Sequence, residues 1–231
     1  MTKYLFCAVS AAVLMAGSAA WASDDSSIDQ IGASNAATVN QSASPGYDTA
    51  KSTITQYSNG NSATVTQDAN DTSTVSHSND ASYDNNVADV SQVGSGTASI
   101  TQAGHNFADV WQNSSARGES ATISQVGWNP GSFGAGGASI YQNGHNDAAT
   151  EDQSGNFDSA YTQQTGSGGK STTYQTGGNY NTADVYQSAA NDVSLVEQTG
   201  GSDLANVSQG SNGANSSVYQ SGASNTASVT Q

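Results

Sequence analysis

Apolar and polar positions alternate along this chain with period two, in short units that recur from one end to the other. Each unit is a small residue, a variable one, Val or Ile, a second variable one, and Gln. It reads Ser26-Ser27-Ile28-Asp29-Gln30, Ala37-Thr38-Val39-Asn40-Gln41, Ser52-Thr53-Ile54-Thr55-Gln56 and Ala63-Thr64-Val65-Thr66-Gln67. Writing only alternate residues, it continues as Ala88-Val90-Gln92, Ala98-Ile100-Gln102, Ala108-Val110-Gln112, Ala121-Ile123-Gln125 and Ala138-Ile140-Gln142. The later copies are Ala183-Val185-Gln187, Ser194-Val196-Gln198, Ala205-Val207-Gln209, Ser216-Val218-Gln220 and Ala227-Val229-Gln231. From Gln187 to Gln231 the glutamines recur every 11 residues, and earlier intervals run from 10 to 17. Alternation over five residues predicts a strand, and a constant strand with variable connections predicts stacked repeats.

The connections are rich in Gly and Asn, as in Gly60-Asn61, Gly104-His105-Asn106, Gly144-His145-Asn146 and Gly178-Asn179. These residues reach left-handed backbone conformations at little cost, so each connection predicts a tight turn. Pro45 and Pro130 fall in the longest connections; lacking an N–H, proline is kept out of strand ladders.

Residues two apart in a strand share a face. Asn35, Ala37, Val39 and Gln41 therefore point the same way, as do Asn61-Ala63-Val65-Gln67, Asn106-Ala108-Val110-Gln112 and Asn225-Ala227-Val229-Gln231. The other face carries Thr, Ser, Asp, Asn and Tyr, with Asp89, Asp109 and Asp184 among them. We read the small, branched and amide face as inward and nearly all the charge as outward. One such strand buries a single large side chain, worth about 1.5–3 kcal/mol. Ordering costs about 1–2 kcal/mol for each residue fixed, so one strand cannot stand alone. Stacking supplies the rest, and a β-solenoid of about nine two-strand rungs with uncapped ends is the expected all-β fold. Rungs about 4.8 Å apart bring inward amides into register. An amide carries both donors and an acceptor, so amides rather than acids are expected at the inner positions. The expected ladder is Gln30, Asn35, Gln41, Gln56, Asn61, Gln67, Gln92, Gln102, Asn106, Gln112, Gln125, Gln142, Gln187, Gln198, Gln209, Gln220, Asn225 and Gln231.

At the amino end Lys3 precedes an apolar run from Leu5 to Ala16, and small residues lead to Ala20-Trp21-Ala22. This predicts a secretory signal over residues 1–22, with Ala20 and Ala22 at the cleavage site. No segment offers the roughly 18 apolar residues of a membrane-spanning helix. The only cysteine, Cys7, lies inside the signal, so the exported chain, residues 23–231, has no disulfide framework. The net charge is −15, and beyond residue 22 only Lys51, Arg117 and Lys170 face 19 acids. Nucleic acid, which needs a basic stripe, is excluded as a partner.

At this point the repeats resemble the curlins, the subunits of bacterial curli amyloid fibres. The resemblance covers roughly residues 26–231. A curlin repeat joins a Ser-to-Gln half to an Asn-x-Ala-to-Gln half through a Gly/Asn turn, as residues 52–67 do here. It implies an extracellular fibre at the bacterial cell surface, in biofilm matrix and adhesion, with the chain as its own partner. It further implies secretion through an outer-membrane curlin channel and nucleation on a related minor subunit. Two other roles stay open: that of the nucleator itself, and that of a monomeric surface-binding solenoid.

Three successive motifs, ending at Gln153, Gln163 and Gln175, place Glu151, Tyr161 and Thr173 where Val or Ile is expected. A buried Glu151 is costly, so residues 149–175 are expected to be irregular or to slow aggregation. His77 replaces Gln in its motif and is read as a ladder member. His105 and His145 are read as turn residues, since no second ligand is regularly spaced from either. No nucleophile elbow, zinc signature or phosphate loop is present, so no catalytic residue, metal or cofactor is expected.

Overall fold

A computed structural model describes residues 11–16, 24–42, 49–78, 85–129 and 137–231. The expected cleavage site at Ala20 and Ala22 lies outside them. Sixteen strands form one sheet, and all pairings between them are parallel. In chain order they are β1 (Ala11–Ala16), β2 (Asp25–Ile31), β3 (Ala36–Ser42), β4 (Lys51–Tyr57), β5 (Ser62–Ala69) and β6 (Thr72–Ser78). Next comes β7 (Val87–Asn129), which stays extended through its corners and carries four motifs. Then follow β8 (Gly137–Gln142), β9 (Ala148–Asn156), β10 (Ser159–Gln164), β11 (Lys170–Asn179) and β12 (Thr182–Gln187). The last are β13 (Val193–Gly201), β14 (Leu204–Gln209), β15 (Asn215–Ala223) and β16 (Thr226–Thr230).

These strands alternate between two stacks, so the chain is a two-sided β-solenoid. One stack runs β2, β4, β6, residues 97–103, residues 120–128, β9, β11, β13 and β15. The other runs β3, β5, residues 87–94, residues 108–112, β8, β10, β12, β14 and β16. Pairing one strand from each gives nine rungs and eight steps between them, close to the expectation. Register is set by like on like: Ala183 lies on Ala205, Val185 on Val207 and Gln187 on Gln209. A slip of one residue would turn every inward side chain to solvent. At the amino end β1 pairs with β3, so one half of the first rung is covered where an uncapped end was expected, and among the described residues no strand pairs with the outer edge of β2.

The space between the stacks is filled by the small and branched positions. Ala37, Val39, Ile54, Val65, Ile100, Ile123 and Ile140 belong to one continuous buried cluster, and Ala183, Val185, Val196 and Val207 to a second. What divides them is polar: Glu151, Thr162 and Thr173 sit in the core positions between, all buried. The backbone there is nevertheless regular, since β9 pairs with β11 and β8 with β10 residue by residue across the core positions. The expected irregularity of residues 149–175 is therefore corrected, because backbone pairing is indifferent to which side chain points in. The motif of β10 is also corrected by one residue. Thr162 lies between Ile140 and Val185 and Gln164 lies on Gln187, so Tyr161 and Gln163 point outward.

Corners are as constrained as strands. Gly104, Gly127, Gly155, Gly178, Gly200 and Gly222 follow one another at the same corner of successive rungs. A Cβ on Gly104, Gly127, Gly155, Gly178 or Gly200 would run into the carbonyl oxygen of the next glycine in the column. Gly104 and Gly127 also hold φ of +114° and +124°, which a side chain disfavours.

Candidate functional site

Two columns of glutamine run through the interior along the solenoid axis. In one, Gln41 Nε2 donates to Gln67 Oε1 at 3.1 Å, and Gln67 donates to Gln92 at 3.0 Å. The same bond repeats from Gln92 to Gln112 (2.7 Å), then to Gln142, Gln164, Gln187 and Gln209 (2.8 Å each), and to Gln231 (3.3 Å). In the opposite stack Gln30 donates to Gln56 at 2.6 Å. Beyond the histidine, Gln102, Gln125, Gln153, Gln175, Gln198 and Gln220 are linked at 2.7–2.9 Å. The second N–H of these amides crosses to the other stack, as from Gln187 Nε2 to Lys170 O (3.0 Å) and Gln198 Nε2 to Thr182 O (3.0 Å). Axial and lateral bonds together satisfy nearly all of these amides, Gln102 Oε1 being the exception, which lets a polar column be buried.

Every axial bond runs the same way, nitrogen toward the later rung. The ladder is thus polar, with acceptors (Gln30, Gln41) facing the amino end and donors (Gln220, Gln231) facing the carboxyl end. Gln220 and Gln231 still make their lateral bonds, to Leu204 O and Asn215 O at 3.0 Å each. On this rung Ala227 and Val229 are half-buried, since among the described residues no strand lies on β16 beyond them.

A third column forms at the corner before the second stack. Asn35, Asn61, Asn106 and Asn225 stand there as expected, but so do Asn86, Asn129, Asp158, Asn181 and Asp203. Each side-chain oxygen accepts the backbone N–H of the corresponding residue one rung on: Asn35 Oδ1 from Asn61 (3.0 Å), Asn129 from Asp158 (2.8 Å), Asp158 from Asn181 (2.9 Å), Asp203 from Asn225 (2.9 Å). At the other corner Asp71 accepts from Gly96 N (2.8 Å), Asp147 from Gly169 N (2.9 Å) and Asp192 from Ala214 N (3.1 Å).

The expectation that acids avoid the interior is therefore overturned: Asp71, Asp147, Asp158, Asp192, Asp203 and Glu151 are all buried. The corner bond needs only an acceptor, which a carboxylate supplies as well as an amide. Asn181 separates Asp158 from Asp203, and Gly96 and Gly169 follow Asp71 and Asp147, whereas the buried Glu119 stands one rung before Asp147. The signal was present in the sequence, since Asp147-Ala148-Ala149, Asp158-Ser159-Ala160 and Asp203-Leu204-Ala205 repeat the Asn-x-Ala spacing. Asp89 is exposed, and Asp109 and Asp184 are half-buried on the outer face, as expected.

Burial raises the carboxyls of Asp71, Asp147 and Asp158 to about 6 despite their backbone hydrogen bonds. Glu151 is pushed up to about 8 by burial, which the nearby Thr162 hydroxyl and Ser139 backbone offset only in part. His77 is fully buried in the ladder, with Nδ1 3.4 Å from Gln56 Nε2. Burial lowers it to about 4, so it is neutral at ordinary pH. Its Nε2 faces Gln102 Oε1 without close hydrogen-bond geometry, so the amide-to-amide ladder is interrupted at this rung. His105 is half-buried and His145 exposed. Among the described residues no three His, Cys, Asp or Glu side chains converge as metal ligands, and no helix is long and apolar enough to cross a membrane.

No protein-family model, no curated protein and no solved structure matches this chain.

Proposed function

We propose that the chain is a structural subunit that polymerises by stacking solenoid rungs end to end into an extracellular, curli-like amyloid fibre. The observation that carries the reading is the uniform direction of the glutamine ladders. Donors at one end and acceptors at the other make the two ends complementary to each other and not to themselves. Such a contact is heterologous and does not close, so it generates filaments. In the junction Gln220 and Gln231 of one copy donate to Gln30 and Gln41 of the next. Asn225 accepts a backbone N–H as Asn35 does within the chain, and Val218 and Val229 meet Ile28 and Val39. Open edge strands are templates for further strands, and strands perpendicular to a fibre axis are the amyloid arrangement.

The sequence features expected of a secreted curlin agree with this reading, including the amino-terminal signal, the acidic balance and the absence of thiol beyond residue 22. The partners it implies are further copies of the chain, a nucleating relative and an outer-membrane channel, and the role is one of assembly rather than catalysis. The test is to purify the chain without residues 1–22 and follow thioflavin binding and sedimentation over time. Growth that shortens its lag when preformed fibres are added supports the proposal. A monomer that persists in solution at high concentration contradicts it.

A further inference from the structure

Beside the buried ladders, the outer face of the second stack holds a groove of about 480 Å³ lined by Asp89, Ser91, Asp109, Trp111, Tyr141, Tyr161 and Gln163, with Ile140 in its floor. That volume falls within the range of small-molecule sites. Two rows of outward positions build it. One runs from Asp89 through Asp109 and Ser139 to Tyr161, and the other from Ser91 through Trp111 and Tyr141 to Gln163. Trp111 and Tyr141 form one wall, their ring centroids 4.3 Å apart and their planes tilted by 53°. Tyr161 closes the far end, held by donating its hydroxyl to Gln163 Oε1 at 3.2 Å and by packing on Tyr186, with centroids 5.5 Å apart. Two carboxylates from successive rungs stand at the opposite end, and neither Lys nor Arg is among the lining residues. Burial and the charge of Asp89 raise Asp109 to about 6, as expected where two acids face one space without a counter-ion.

We propose that this groove binds the alkylated ammonium group of a small organic cation. An aromatic face attracts a cation through its quadrupole, tryptophan most strongly, and a quaternary ammonium sheds its water cheaply enough to lie against the ring. Asp89 and Asp109 supply the charge complement, and the rings exclude the hydrated metal ions that two carboxylates alone would attract. Three of its four rungs contribute one aromatic each, Trp111, Tyr141 and Tyr161, so rigid strands rather than loops fix the site. The proposal does not depend on whether the chain polymerises.

The test is equilibrium dialysis of the full chain against choline, with 3,3-dimethylbutan-1-ol, its neutral isostere, as the comparison. Choline should bind saturably and the isostere should not. Trp111→Leu should weaken choline binding about tenfold and Asp109→Asn several-fold. Trp128→Leu removes an exposed ring outside the groove and should change nothing. Circular dichroism checks that each variant keeps its strands, and Tyr141→Leu replaces Trp111→Leu should that variant fail to fold. Equal binding of the isostere, displacement by sodium at matched concentration, or insensitivity to both groove variants would overturn the assignment.

Discussion

A single glutamine in this fold serves two directions at once, so its loss strands several partners. Removing Gln112 leaves the Oε1 of Gln142 without its donor, the Nε2 of Gln92 without its acceptor, and the carbonyl of Thr97 without its bond from the opposite stack. A buried group left without a partner costs about 1–3 kcal/mol, so Gln112→Ala should lower stability by several kcal/mol in denaturant melts. The same change at Gln231, which is exposed, should cost far less. Glu151 presents the opposite case, a buried acid in a core position between Ile123 and Thr173. Glu151→Val should extend the first apolar cluster by one strand and stabilise the chain, most at alkaline pH, where the wild-type carboxyl is ionised. His77→Gln should repair the interrupted ladder and raise the melting temperature. The ladder glutamines were legible from period and spacing alone. Gln164 was not, because Gln163-Gln164 offers two registers and only the stacking of Gln142 and Gln187 chooses between them. The corner aspartates were missed because acid was read as outward, although the position asks only for an acceptor.

At the scale of the element, strands were written plainly in the sequence and corners only in part. The motif names which residues point in, and every copy from Ser26-Ser27-Ile28-Asp29-Gln30 onward lies in a strand. The glycines signalled turns, and their place two or three residues after Gln102, Gln125, Gln153, Gln175, Gln198 and Gln220 was a sign of the common column that went unread. The column can be tested by contrast. In Gly155→Ala the new Cβ meets the carbonyl of Gly178, whereas Gly213→Ala, at φ +71°, meets nothing within 4 Å. The latter should cost about 1 kcal/mol from backbone strain alone. Gly155→Ala should cost distinctly more and shift the melting of the rungs around it. Equal effects at the two sites would show that the column is not closely packed.

On the scale of the whole molecule, the buried acids couple stability to pH. Asp71, Asp147 and Asp158 hold protons more tightly folded, near 6, than at their ordinary 3.8. Glu151 does so near 8 against 4.5. Between those values the folded chain binds more protons than the unfolded one, so stability is greatest below the unfolded values and is lost as pH rises through 6 and then 8. His77 acts in reverse, its contribution being lost as pH falls from 6.5 toward 4. One histidine opposes these four carboxyls and Asp109, raised likewise to about 6, so urea midpoints should rise from pH 8 to pH 5, and Glu151→Gln should flatten the alkaline part of the curve. Strand β1 lies on β3, the edge that an incoming β16 would take, so chain retaining residues 1–22 should elongate fibres more slowly than chain without them. The claim on which the rest depends is that parallel rungs stack along one axis and continue from copy to copy. Fibre diffraction of aligned assemblies tests it most directly: a sharp meridional reflection near 4.8 Å is predicted, and assemblies lacking that reflection would contradict the account.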